Sequence, residues 1–286
     1  MKFKLFALFL ATSLLFACGG EKKENPDISA EIEEGIAEDE LNIDLEDDNA
    51  VEEVFLLPSP LQIGSIFKNA GLKYQSGVVA PTDQSASFAT TDHKALALGV
   101  YFADMTYCVL NSQTQEAKEY LNQIMMLTDA IGLSAVFEGT DLLQRFENNL
   151  GNQDSLLSLL IDVQDRVDMH IHENSQDELE AIIFAGGWVE GMHLGANSPK
   201  EEGNSVDARI AEQMTILENV VGLLKGSDRS SDKLENVRTS LDDLYKYYDQ
   251  IEVEDNQGKR GYRIADEHVS EIAKKVETIR GTILNI

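Results

Sequence analysis

The sequence predicts an all-α protein, a multi-helix bundle of eight to nine helices. Three observations carry that prediction. Apolar residues recur with a period near 3.6 in segment after segment, each bounded by capping residues. Two further segments, Ala95–Leu110 and Leu179–Ala196, are apolar nearly all round, as helices at the centre of a bundle are. The five prolines, at 26, 58, 60, 81 and 199, all fall between these segments or at a helix start, where a missing N–H costs little.

The chain opens with Lys2 and Lys4, followed by an apolar run from Leu5 to Ala17. That run is shorter than the roughly 20 residues a helix needs to span a bilayer, and it suits the core of a signal peptide. It ends in Leu15-Phe16-Ala17-Cys18, which resembles a lipobox. The resemblance implies that residues 1–17 are removed and that Cys18 is lipidated. Several acyl chains, each adding about 0.8 kcal/mol per buried CH₂, would hold the chain at a membrane. Gly19 rather than an aspartate follows the cysteine, which points to the outer membrane.

Residues 18–57 read as an acidic, disordered tether in which Lys22 and Lys23 are the sole bases. A flexible chain of this length has a root-mean-square span of about 35 Å. Asp44 to Asn49 lacks the turn glycine of a calcium loop. The whole chain carries 51 acidic and 23 basic residues, a formal net charge of −28. Such a balance excludes the basic footprint of a nucleic-acid binder and favours cationic partners.

The helical domain spans 58–286. Ser59-Pro60 is a helix start, and Gly71 ends that helix. Ala117, Leu121, Ile124, Leu127 and Ile131 form the next amphipathic stripe, closed by Gly132. Leu156, Leu160, Val163, Val167 and Ile171 form another, opened by Asp154. Ile210, Met214, Leu217, Val221 and Leu224 are closed by Gly226. Leu234, Val237, Leu241, Leu244 and Tyr248 follow, and Val269, Ile272, Val276, Ile279 and Ile283 come last. Between these two, residues 251–264 alternate around Asn256-Gln257-Gly258, the pattern of a small β-hairpin.

The two apolar helices carry ladders of small residues four apart: Ala95, Gly99 and Ala103 in the first, Gly187, Gly191 and Gly195 in the second. Glycine inside a helix costs about 1 kcal/mol relative to alanine, so each ladder implies a compensating close helix crossing, with the other ladder as one candidate partner. Leu96, Gly99, Tyr101 and Met105 also match Ile183, Gly186, Trp188 and Met192 at one constant offset. Each set is followed by an amphipathic helix expected to end in glycine, at Gly132 and Gly222, a pattern that suggests a tandem duplication.

Asp104 and Glu190 lie well inside these two helices. A carboxylate there is costly unless paired, and perturbed carboxyls are candidates for acid–base work. The structural alternative is a hydrogen-bonded network. His170 and His172 are two apart, about 200° around a helix, and do not converge on one ion. Gly191-Met192-His193 resembles the G-x-H-x-x-E motif of imelysin-like envelope proteins, but Ala196 stands in the glutamate position. No metal site and no cofactor is therefore expected. Cys108 sits in an apolar helix, where its thiol is a poor nucleophile. The sequence contains no H-E-x-x-H, G-x-S-x-G, P-loop or C-x-x-C motif.

The segments running from Gly99 to Met105 and from Ala185 to Glu190, with the opening Pro58-Ser59-Pro60-Leu61, resemble a family of all-helical lipoproteins from Bacteroidetes. The resemblance covers most of residues 58–286. It implies an all-helical envelope protein and brings no activity and no catalytic residue with it. The expectation is a membrane-anchored envelope lipoprotein acting as a non-enzymatic binding or scaffold module for a protein or small-molecule partner. The alternative is an envelope hydrolase or ligand-handling enzyme that uses Asp104 and Glu190. A polar cleft holding both carboxyls favours the enzyme; a sealed core around them favours the scaffold.

Overall fold

Ser59 starts the first helix with a capping box. Its hydroxyl accepts from the Gln62 backbone N–H at 3.1 Å, and the Gln62 side chain accepts from the Ser59 N–H at 2.6 Å. Two helix-end donors are thereby satisfied, and Pro60 follows at the first helical position. The computed structural model describes residues 58–252 and 264–286. The expected leader at 1–17, the expected tether at 18–57 and most of the expected hairpin at 251–264 lie outside the described residues.

Nine α-helices occur among the described residues: α1 (Pro60–Asn69), α2 (Thr91–Leu110), α3 (Thr114–Ala130), α4 (Leu142–Asn148), α5 (Gln153–Glu173), α6 (Asp177–Asn197), α7 (Val206–Gly226), α8 (Asp232–Tyr248) and α9 (Asp266–Leu284). The protein is an all-α multi-helix bundle. Among the described residues there is no strand, and one isolated bridge joins Leu72 to Lys200. Gly132 ends α3 with a φ of 89°, and the Leu133 N–H reaches back to Thr128 O at 2.9 Å, the closure that a left-handed residue allows. Asn152, two residues before the expected Asp154, caps α5 by accepting from the Ser155 N–H at 3.1 Å. Gly222 does not end a helix. It lies inside α7, which runs on to Gly226.

α2 and α6 form the buried centre and pack against each other more extensively than any other pair. Their crossing is closed from both sides by glycine. A methyl group on Gly99 would lie 1.8 Å from the Ile183 carbonyl oxygen, and one on Gly186 would lie 2.0 Å from the Leu96 carbonyl oxygen. Each glycine meets the counterpart of the other's neighbour, so the crossing is locally two-fold. The same constant offset relates Leu96 to Ile183 and Gly99 to Gly186.

The second ladder faces elsewhere than α2. A methyl on Gly187 would meet Pro60 Cγ at 3.0 Å, on Gly191 it would meet Ile63 Cγ2 at 2.7 Å, and on Gly195 it would meet Phe67 Cε1 at 2.7 Å. The ladder is thus a trough in α6 that seats α1. The two ladders touch at one place, where a methyl on Gly99 would come within 2.6 Å of the Gly187 backbone nitrogen. The reason is azimuthal. Gly186 is turned about 100° from Gly187, so it faces α2 while the i, i+4 row faces α1. Ala95 and Ala103 are buried on α2. Around this centre α3 packs on α2, whereas α7 and α9 pack on α6 and α8 packs against both.

Candidate functional site

The link between α1 and α2 crosses the bundle surface with Val78 and Ala80 buried. Buried backbone groups need partners, and helix side chains supply them here. Asp104 Oδ2 accepts from the Ala80 N–H at 3.0 Å. The Tyr120 hydroxyl donates to Ala80 O at 2.5 Å, and the Tyr101 hydroxyl donates to Pro81 O at 2.9 Å. Arg280 Nη2 donates to Val78 O at 3.3 Å, and His193 Nε2 lies 3.0 Å from the same oxygen. Four helices thereby clasp residues 78–81.

Asp104 and Glu190 meet at the centre of this clasp, and both are 0% exposed. Arg280 of α9 donates from Nε to Glu190 Oε2 at 2.7 Å. Burial first, and the neighbouring Glu190 carboxylate second, push the Asp104 carboxyl well above the usual range. Among the described residues Asp104 Oδ1 and Glu190 Oε1 have no hydrogen-bond partner, and one proton shared between the two carboxyls would satisfy both. With that proton in place the cluster is a neutral acid beside a Glu190–Arg280 ion pair, with no uncompensated buried charge.

A protonated carboxyl next to a carboxylate is the arrangement of acid–base catalysis. Catalysis also requires access for the reacting atom. Neither carboxyl reaches solvent, and neither lines the surface cleft described below. The sequence pattern points to both acids but misses Arg280. The available signal was its place four residues after Val276 and one after Ile279, a lone cation on the apolar side of α9.

The surface cleft lies between α2, α5 and α6, beside the start of α1. Phe102, Val167, Ile183 and Phe184 form its apolar walls, with Asp168 and Glu180 among them. Burial raises the Asp168 carboxyl, opposed by a hydrogen bond from Gln164. Burial and the nearby Asp168 charge raise Glu180. Sequence reading passed over both acids because acids are abundant on these helices; the signal was their position beside the apolar rows of α5 and α6.

Of the remaining candidates, His193 belongs to the clasp and the others lie apart from both sites. His193 Nδ1 lies 2.6 Å from Glu277 Oε2. His93 Nε2 contacts Ile283 O at 2.7 Å, and burial lowers its pKa. His172 pairs with Asp177 at 3.6 Å on the surface. Burial pushes the Cys108 thiol up, which leaves it unreactive. Among the described residues no three His, Cys, Asp or Glu side chains converge as metal ligands. Comparison with known proteins finds no matching family model, no matching curated protein and no matching solved structure.

Proposed function

We propose that this chain is a membrane-anchored lipoprotein of the cell envelope whose helical domain serves as a non-enzymatic binding or scaffold module at the outer membrane. The observation that carries this reading is the sealing of Asp104 and Glu190. Asp104 holds the Ala80 N–H and Glu190 holds Arg280, so the carboxyls best suited to acid–base work are spent on architecture. The anchor half of the proposal rests on Leu15-Phe16-Ala17-Cys18, and the outer-membrane destination rests on Gly19. No helix among the described residues is long and apolar enough to cross a membrane, which agrees with attachment through a lipid. The family of Bacteroidetes lipoproteins suggested by residues 58–61, 99–105 and 185–190 fits the same reading.

Metabolic labelling with an alkynyl fatty acid, followed by membrane fractionation, tests it. The wild-type protein is expected to carry label and to sediment with outer membranes, and Cys18→Ala is expected to be unlabelled and soluble. A Cys18→Ala protein that still sediments removes the anchor, and a labelled protein in the inner-membrane fraction removes the destination.

A further inference from the structure

Asp168 on α5 and Glu180 on α6 line one apolar cleft and repel each other, and no lysine or arginine pairs with either among the described residues. Glu180 makes no hydrogen bond or ion pair among the described residues, and Asp168 is met by the neutral Gln164. The nearby arginines are committed elsewhere. Arg145 and Arg166 both bind Asp162, at 2.9 and 3.2 Å. His172, whose side chain acts on Glu180, is engaged by Asp177 at 3.6 Å. Two half-buried carboxylates in mutual repulsion are costly to hold, and an added cation relieves that cost.

The walls decide which cation. A hard divalent ion needs about six to eight oxygen ligands. This cleft offers two carboxylates, Gln164 and the Ser59 hydroxyl, set among Phe102, Val167, Ile183 and Phe184. An apolar recess with a few convergent polar groups is the usual form of a small-molecule site. A phenyl face also attracts a cation, and paired rings add to simple burial.

We propose that this cleft binds a small organic amine in its ammonium form, carried on an aromatic ring: Asp168 and Glu180 take the ammonium group, and Phe102 and Phe184 take the ring. The proposal rests on the reading of the chain as a binding module and supplies its ligand class. It is independent of the anchor, because the fractionation above and the titration below can each fail alone.

The experiment uses the full chain carrying Cys18→Ala, so that no lipid competes for the probe. Benzylammonium is titrated while backbone amide resonances are followed by NMR. Saturable shifts clustered at Val167, Ile183 and Phe184 are expected. Benzyl alcohol, which has the ring without the charge, is expected to bind about tenfold more weakly, the usual scale for one charge-assisted contact. The single variants Asp168→Asn and Glu180→Gln are each expected to weaken benzylammonium by a similar factor while retaining the wild-type spectrum elsewhere. No saturable shift at the cleft, or wild-type affinity in both variants, overturns the proposal. Equal shifts from calcium ions overturn the choice of an organic cation. Equal or tighter binding of Nα-acetyl-lysine methylamide overturns the small-amine assignment in favour of a partner protein's lysine.

Discussion

Arg280 Nε donates to Glu190 Oε2 at 2.7 Å, and the side chains are 5% and 0% exposed, so α9 is joined to α6 by an ion pair out of contact with water. The same guanidinium reaches Val78 O, which places the C-terminal helix and the α1–α2 link under one side chain. Removing one partner leaves the other charge buried and alone. Arg280→Ala is expected to destabilise the protein by about 3–5 kcal/mol, whereas pairing Arg280→Met with Glu190→Met is expected to cost less than either single change. Urea denaturation of the four proteins measures this. A double variant as unstable as the sum of the singles would show that the two residues do not act as a pair.

Asp104→Asn tests the shared proton. Asparagine has the shape of the protonated acid: its oxygen still accepts from Ala80, and its amide donates toward Glu190 as the acid proton does. The folded-state pKa of Asp104 is raised, so the folded protein holds this proton more tightly than the unfolded chain does. Such a group imposes no penalty below the unfolded pKa of about 3.9, and it erodes stability as the pH rises from there toward the folded value. Relative to Asp104→Asn, the wild type is therefore expected to lose stability as the pH is raised from about 4 toward neutrality. Asp104→Ala, which orphans the Ala80 N–H, is expected to cost about 1–3 kcal/mol at every pH. Denaturation midpoints taken across this range separate the two, and a pH-independent gap between wild type and Asp104→Asn would rule out the shared proton.

Two glycines in helix interiors are expected to respond in opposite directions to alanine. At Gly99 the added methyl meets the Ile183 carbonyl at 1.8 Å, and backbone cannot yield as a side-chain tip does. Gly99→Ala is expected to lower stability by about 1–3 kcal/mol or more, the cost of overpacking. At Gly222 a methyl meets nothing within 4 Å, and Gly222→Ala is expected to add up to about 1 kcal/mol through helix propensity. Thermal melts of the two variants suffice, and a destabilised Gly222→Ala would put a close neighbour where the structure has open space.

Gly191→Leu addresses the trough that seats α1. Its side chain would take the place of Ile63, which already stands 2.7 Å from a methyl at that position. Detachment of α1 is the expected result, read as faster amide exchange from Leu61 to Asn69 with the α2–α6 pair still protected. Unchanged exchange in α1 would mean that the trough does not hold this helix.

Asp168 and Glu180 make the stability counterpart of the proposed amine site. Both carboxyls are raised by burial, so each is neutral at no cost in acid and becomes a burden as the pH climbs above the unfolded values. Asp168→Asn and Glu180→Gln are expected to raise the melting temperature at pH 8 and to leave it unchanged near pH 3.5. A binding site kept at the expense of stability behaves in this way. A lower melting temperature at pH 8 would show the acids to be structural.

Residues 60–284 show which parts of the molecule are local and which are not. The stripes of α3, α5, α7, α8 and α9, the Ser59-Pro60 start and the Gly132 stop were legible in the sequence, because helical period and capping depend on neighbours within about four residues. The burial of Asp104 and Glu190 was legible for the same reason, since their flanks are apolar over several turns. Which face meets which partner was not. Gly186 and Gly187 are adjacent in sequence, yet one closes on Leu96 of α2 and the other on Pro60 of α1, and only the crossing angles of three helices decide between them. Arg280 lies 90 residues from Glu190, and the 78–81 backbone that Asp104 and Arg280 serve has no pattern that announces it. Periodicity records how much of a helix is buried; the partner across the interface is settled when the helices pack.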